Sequence, residues 1–204
     1  MKIIFDLGGV LLRWRPHELL RACLPERTRS AQAIRALEAQ IFQGFGGDWA
    51  EFDRGTLEPA PLAERIAART GLTMAEAHRV IDAVPQELQP LPASVTLLER
   101  LHGLGRELYF LSNMPEPYAV HLEARHDFLR LFRRGIFSAR VQMIKPEPAL
   151  FAHAEAEFGI SGGPVVFIDD VVKNVHAARA AGWQTIHFES AAQCGRELAA
   201  LELL

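Results

Sequence analysis

Carboxylates, a hydroxyl and a lysine stand at the ends of four short apolar stretches of this sequence. They are Asp6 in FDLGGV, Ser112-Asn113 in FLSN, Lys145 in IKPE and Asp169-Asp170 in FIDD. Each alone has a plain structural account. A strand-end aspartate caps a turn or a helix, Ser112 caps the helix after it, Lys145 before Pro146 is solvated, and Asp169-Asp170 cap a helix beginning at Val171. Together they are harder to explain as caps. A carboxylate attacking a phosphate dianion meets charge repulsion. It needs a metal ion and a cation to screen that repulsion, and donors for the phosphoryl oxygens. This chain supplies Asp6 as nucleophile, Asp169 and Asp170 for the metal, Lys145 as the cation and Ser112 as the donor.

The elements that must position these groups are legible around them. Lys2–Phe5 runs into Asp6 and Gly8-Gly9, Leu108–Leu111 into Ser112-Asn113, and Val165–Ile168 into Asp169-Asp170. Each pattern predicts a buried strand ending in a tight polar loop. Gln184–Phe188 is a weaker fourth strand and Gly135–Ser138 a fifth. Helix-period segments lie between them: Pro92–Leu104, Pro146–Phe158 and Val171–Ala181, each stopped by glycine. The segment from Ala191 to Leu204 predicts an amphipathic helix closing the core through Leu198, Leu201, Leu203 and Leu204. Alternating strands and helices predict an α/β fold, a parallel sheet with helices on both faces, whose function sits at the carboxyl ends of the strands. Residues 16–88 break the alternation. Helices are expected over His17–Leu24, Ser30–Phe42, Leu57–Thr70 and Thr73–Val84, with Gly44, Gly46, Gly47 and Gly55 between them. The expected division is therefore a core of residues 1–15 and 89–204 and a helical insertion of residues 16–88.

Composition narrows the function classes. The chain has 204 residues, 49% hydrophobic and 23% charged, in the range of ordinary globular proteins. A net charge of −3 leaves no basic excess for a nucleic-acid backbone. No apolar run is long enough to span a membrane, and the N-terminus lacks the features of a secretory signal, so a cytoplasmic protein is expected. Cys23 and Cys194, far apart, make neither a disulfide framework nor a zinc site and read as reduced apolar residues. His121 and His126 are five residues apart, off one helical face, and read as surface or cap residues. The expected partner is a small-molecule phosphate ester, and the charge is compatible with a monomer or a homodimer.

The order Asp, Ser-Asn, Lys-Pro, Asp-Asp resembles motifs one to four of the haloacid dehalogenase superfamily. Within it the chain resembles a bacterial subgroup of subfamily IA that includes the α-D-glucose-1-phosphate phosphatase, and it is similar to the N-terminal phosphatase domain of soluble epoxide hydrolase. The likeness runs through FDLGGVLL, the insertion with DWAEFDRGTLE, LSNMPEPY, MIKPEPALF and FIDDVVKNVHAARAAG, most of the chain. It implies a Rossmann-like core, a helical cap of the C1 type between motifs one and two, Mg²⁺ as cofactor, and ester hydrolysis through an aspartyl-phosphate. By position, Asp6 is nucleophile and metal ligand, Gly8 gives its backbone carbonyl to the metal, Asp170 binds the metal directly, and Asp169 holds one of its waters. Ser112 binds the transferring phosphoryl group. Asn113 supports that loop or reaches the substrate. Lys145 bridges nucleophile and phosphoryl group, and Asn174 holds Lys145 or the metal-bound waters. A set of carboxylates, a carbonyl and waters suits hard Mg²⁺.

One position departs from the family pattern. Two residues after the nucleophile most phosphatases of the superfamily carry an aspartate that protonates the leaving oxygen; here it is Gly8. A positioned general acid–base is worth roughly 10²–10⁴-fold. The glycine fits a phosphate ester with a good leaving group, such as a sugar 1-phosphate or an acyl phosphate, or a substitute in the form of a water or of a residue among His17, Asp48 and Asp53, whose geometry the sequence does not fix. It is also compatible with a binding module of little turnover. The true dehalogenases lack this aspartate too, but the Asp169-Asp170 pair argues against that C–X hydrolase chemistry. Arg13 and Arg15, at the passage into the insertion, either clamp an anionic substrate or are solvated or paired with carboxylates there. Trp49 and Phe52, in an expected loop DWAEFDRG, either floor a sugar pocket or staple the insertion's helices. The reading is a Mg²⁺-dependent phosphatase of a small phosphorylated metabolite, a sugar phosphate among the candidates.

Overall fold

The computed structural model describes residues 1–160 and 162–204. Lys2–Phe5 (β1), Glu107–Ser112 (β2), Arg134–Phe137 (β3), Val165–Asp169 (β4) and Gln184–His187 (β5) form a parallel sheet in the order β3-β2-β1-β4-β5. Successive strand residues point to opposite faces. Ile3, Phe5, Leu108, Phe110, Val166 and Ile168 join one apolar cluster, while Ile4, Tyr109, Leu111, Val165 and Phe167 join the other. Both faces are covered, which is why these strands read as continuous apolar runs. Helices α6 (Pro92–Gly103), α7 (Glu116–Arg125) and α11 (Ala191–Ala200) feed the first cluster. A short helix α8 (Ser138–Val141) follows β3, and helices α9 (Pro148–Phe158) and α10 (Val172–Ala180) feed the second. The result is a three-layer α/β fold of the Rossmann-like kind. The chain builds β2 and β3 to one side of β1, then returns to build β4 and β5 on the other. A topological switch point therefore lies at the carboxyl end of β1.

Between β1 and α6 the chain makes five helices: α1 (Pro16–Cys23), α2 (Ala31–Ile41), α3 (Gly47–Arg54), α4 (Pro59–Thr70) and α5 (Met74–Glu87). Ser30 caps α2 by accepting from Ala33 N, and Thr73 with Glu76 forms a capping box on α5. Their apolar faces, among them Leu20, Ile41, Phe42, Trp49, Ile66 and Val80, continue the first cluster rather than forming a separate one. The two connecting strands of chain lie side by side, Arg13 N donating to Gln89 O at 2.7 Å and Leu91 N to Leu11 O at 2.8 Å.

Two elements differ from the sequence expectation. DWAEFDR is helix α3, not a loop: the glycines that suggest a loop stand at its ends, Gly46 as N-cap and Gly55 as a left-handed C-cap. Helix α5 runs through Pro85 to Glu87 instead of stopping at Val84. A proline there removes the N–H that the carbonyl of Ile81 would accept, and the hydroxyl of Tyr118, on α7, donates to that carbonyl instead at 2.7 Å. His126, expected as a surface or cap residue, is the C-cap of α7 and is buried, with Nε2 3.0 Å from Leu88 O. Among the described residues no helix is long and apolar enough to cross a membrane.

Candidate active site

The parallel register brings the chemically distinctive residues to one edge of the sheet. Phe5 is level with Phe110 on β2 and Ile168 on β4, so Asp6 leaves β1 where β2 approaches Ser112 and β4 ends at Asp169. Asp6 N still donates to Ile168 O at 2.8 Å, and Leu7 N donates to Asp6 Oδ1 at 2.7 Å, which orients the carboxylate. The chain then turns sharply. Gly9 has φ +78°, and a Cβ there would lie 2.2 Å from Asp170 Oδ2. The glycine is required both by the left-handed backbone and by the carboxylate pressed against the turn. A Cβ at Gly8 would meet nothing within 4 Å.

Lys145 is buried, and its ammonium lies 2.8 Å from Asp6 Oδ1 and 2.7 Å from Asp169 Oδ2. Asn113 holds the backbone beneath it: Lys145 N donates to Asn113 Oδ1 at 2.8 Å, and Asn113 Nδ2 donates to Lys145 O at 3.0 Å. Asn113 thus supports the loop, one of the two roles the resemblance implies. Asp169 is fully buried. Besides Lys145 it accepts from Val171 N at 2.8 Å and from Asn174 Nδ2 at 3.1 Å on each oxygen. Asn174 therefore meets Asp169 rather than Lys145.

Asp170 differs from its neighbour. Its Oδ1 is buried and has no hydrogen-bond partner among the described residues. Asp6, Asp169 and Asp170 bring one carboxylate oxygen each within 4.8 Å of one another. Three carboxylates there face a single ammonium. Burial, with Asp169 and Asp170 beside it, raises Asp6 to about 7 against the pull of Lys145. Burial and Asp169 raise Asp170 to about 6. Burial pulls the Lys145 ammonium down, but Asp169 and Asp6 outweigh it and hold its pKa above the ordinary lysine value. A further positive charge beside them would favour the ionised forms of Asp6 and Asp170. An all-oxygen donor set with an orphaned buried oxygen fits a hard divalent cation.

Asp6, Lys145 and Asp170 line a cavity of about 120 Å³ whose lining also includes Trp49 and Asp53 of α3 and Val84 of α5. Ser112 lines it, buried, and its hydroxyl makes no hydrogen bond among the described residues. The walls are apolar: Trp14, Phe45, Trp49, Val84, Leu88, Met114, Pro115 and Tyr118. Edge-to-face contacts link Trp14 to Phe42, Phe42 to Trp49, Trp49 to Phe52 and Phe52 to Tyr118, with centroids 4.6–5.7 Å apart. Trp49 therefore both staples the insertion and faces the cavity.

Arg13 does not face it. Its guanidinium is held by Glu87 at 2.8 and 3.0 Å, with Arg15 on the same carboxylate at 3.3 Å, the pairing with insertion carboxylates that the sequence offered as one reading. Of the three acids weighed for the missing role, His17 pairs with Glu38 at 2.6 Å and Asp48 with Arg65 and Arg69 at 2.8 and 2.5 Å. Asp53 lines the cavity. Sequence reasoning missed Trp14, Phe45 and Lys173 as cavity residues. For Lys173 a signal existed, since it follows the strand-end pair Asp169-Asp170 at the start of a helix.

Comparison with known proteins agrees with this arrangement. Residues 3–182 match the family model of the haloacid dehalogenase-like hydrolases. A sesquiterpene phosphatase of Aspergillus oryzae is 30% identical over 94% of this chain and 91% of its own. A phosphoglycolate phosphatase of Salmonella typhimurium is 26% identical over 90% of this chain and 79% of its own. By fold, the chain is similar to a HAD family enzyme of Bacteroides thetaiotaomicron solved with magnesium and inorganic phosphate. Its TM-score is 0.71 at 21% identity, over 92% of this chain and 93% of that one. The chain belongs to the haloacid dehalogenase-like hydrolases.

Proposed function

We propose that this hydrolase is a Mg²⁺-dependent phosphomonoesterase that works through an aspartyl-phosphate on Asp6 and takes esters with a largely apolar organic part. The observation that carries the reading is the buried cluster of Lys145, Asp6, Asp169 and Asp170 beneath the unbonded hydroxyl of Ser112. Asp6, the Gly8 carbonyl and Asp170 would hold the ion, with Asp169 on one of its waters. The ion supplies positive charge that screens the phosphoryl group from the carboxylates. The residues do the rest. Leu7 N and Lys145 fix the Asp6 carboxylate so that one oxygen points at phosphorus. Lys145 and the Ser112 hydroxyl take the phosphoryl oxygens, and the charge of Lys145 offsets that developing in the transition state. The Asn113 clamp keeps Lys145 in place. Helices α1–α5, acting as a cap, exclude bulk water from the cavity.

The walls favour an apolar body over a sugar. Beyond the carboxylate cluster and its partners the cavity offers Asp53 and Lys173 as charged groups in a lining that is otherwise apolar or aromatic. A sugar would leave several hydroxyls without partners there, each costly to bury unpaired. The likeness to a sesquiterpene phosphatase points the same way. The test is a panel of a prenyl phosphate, phenyl phosphate, a sugar 1-phosphate and a sugar 6-phosphate, assayed for phosphate release with Mg²⁺. The prenyl and phenyl esters are expected to have the higher kcat/KM, and Asp6→Asn is expected to abolish release while leaving the fold intact. A preference for the sugar esters removes the apolar reading. Release that persists in Asp6→Asn removes the nucleophile.

A further inference from the structure

Cleaving an alkyl phosphate ester leaves an alkoxide, which needs a proton as the P–O bond breaks. Position 8, where the family pattern has its acid, is a glycine facing open space. Outside the carboxylate cluster and Lys145, three titratable side chains line the cavity: Tyr118, Lys173 and Asp53. The Tyr118 hydroxyl is committed to Ile81 O at 2.7 Å, and burial pushes its pKa well above the ordinary value. The Lys173 ammonium donates to Gly44 O at 3.0 Å. Asp53 is 5% exposed, and its carboxyl group has neither a hydrogen bond nor an ion pair among the described residues.

The chain seats Asp53 with care. The Ser138 hydroxyl, fully buried at the end of β3, donates to Asp53 O at 2.5 Å and accepts from Met114 N at 2.8 Å. Arg54 forks onto Glu147, two residues beyond Lys145, at 2.9 and 2.6 Å. Gly55, at φ +78°, packs so closely that a Cβ would lie 2.9 Å from Ala139 O. Three consecutive residues thus dock the end of α3 on the core beside the Lys145 loop, and the first of them carries an unpartnered acid in the cavity.

We propose that Asp53 is the general acid–base of this hydrolase, supplying from the helical insertion the proton transfer for which position 8 has no side chain. The proposal rests on the phosphomonoesterase reading above. In the first step Asp6 Oδ bonds to phosphorus, the bond from phosphorus to the ester oxygen breaks, and the Asp53 carboxyl proton passes to that oxygen, releasing the alcohol. In the second, the Asp53 carboxylate takes a proton from water as the water oxygen bonds to phosphorus. The bond from phosphorus to Asp6 breaks, phosphate leaves, and both side chains return to their starting states. Burial is the main reason the carboxyl is ready to donate. It raises Asp53 to about 8, with Asp6 pushing the same way and Lys145 and Lys173 opposing. Tyr118 and Asp170 are the other titratable groups of the cavity wall.

The experiment compares wild type and Asp53→Asn on an alkyl phosphate and on p-nitrophenyl phosphate, reading kcat/KM, which reports only as far as leaving-group departure. The nitrophenolate needs no proton. Asp53→Asn is expected to lose roughly 10²-fold or more on the alkyl ester and less than about 5-fold on p-nitrophenyl phosphate. Equal losses on both, or none on either, overturn the proposal. The wild type supplies a second reading that does not depend on the variant folding. The ratio of alkyl to nitrophenyl kcat/KM should fall as pH rises through about 8, and a flat ratio overturns the proposal too. If wild type releases phosphate from neither ester, the phosphomonoesterase reading itself fails, which is a distinct outcome.

Discussion

Asp53→Asn should also stabilise the protein, by an amount that grows with pH. An acid held at about 8 in the fold and at 3.8 when unfolded binds its proton more tightly in the native state. Its contribution to stability is complete below 3.8 and is lost progressively as pH rises to about 8. At pH 7 the gap between 7 and 3.8 corresponds to about 4 kcal/mol at roughly 1.4 kcal/mol per unit. That figure is a ceiling, because water reaching the cavity relieves part of it. Asparagine has the same shape and no charge, so the variant escapes the penalty. For a chain of this length, 1 kcal/mol moves Tm by roughly 2–4 °C, so the variant should melt about 8–16 °C above wild type at pH 7 if the ceiling holds. The assay is thermal or urea unfolding of both proteins in EDTA at intervals from pH 4.5 to 8.5. The difference between them cancels the titrating groups that do not interact with Asp53, leaving Asp53 and its neighbours Asp6, Lys145, Lys173 and Tyr118. It should be no more than about 1 kcal/mol at the acid end and widen steadily toward pH 8. A difference that is independent of pH, or a variant less stable than wild type at pH 8, refutes the claim that Asp53 is a carboxyl buried without a partner.

Other outcomes follow from the same geometry. Lys145→Met leaves Asp6 and Asp169 without their shared cation; kcat/KM should fall by roughly 10²–10³-fold and urea unfolding should show a loss of about 3–5 kcal/mol. Asn113→Ala removes both hydrogen bonds that clamp Lys145, and should lower kcat more than it raises KM while costing about 1–3 kcal/mol of stability. Arg13→Ala should leave KM within about twofold, since Glu87 and not substrate holds that guanidinium; steady-state kinetics decides. EDTA should abolish phosphate release and Mg²⁺ restore it, and restoration by Mg²⁺ should fail in Asp170→Ala, which removes the orphaned oxygen and the carboxylate charge. Gly8→Asp, with open space around the new Cβ, should recover part of the alkyl-ester activity that Asp53→Asn loses.

The core and most of its site were legible because both depend on local patterns. Apolar runs ending at Asp6, Ser112 and Asp169 marked strands, and parallel pairing from β1 outward carries those ends to one edge of the sheet. What was hidden depends on contacts distant in sequence. Helix α3 looked like a loop because its glycines cap a single short helix rather than interrupt one. Pro85 looked like a stop because the group that replaces its missing hydrogen bond, the Tyr118 hydroxyl, lies 37 residues from the carbonyl it serves. Arg13 offered two readings that only its meeting with Glu87, 74 residues away, separates. Asp53 was one of three acids of equal standing until His17 and Asp48 proved to be paired and Asp53 alone faced the cavity.

The account turns on the carboxylate of Asp6 bonding to phosphorus. Wild-type protein should be mixed with p-nitrophenyl phosphate and Mg²⁺, quenched in acid within one turnover, digested and examined by mass spectrometry. A phosphoryl group on the peptide carrying Asp6, absent when Mg²⁺ is withheld and absent in Asp6→Asn, is the expected result. Full turnover with no phosphorylated peptide at any quench time, or a phosphoryl group on another residue, contradicts it.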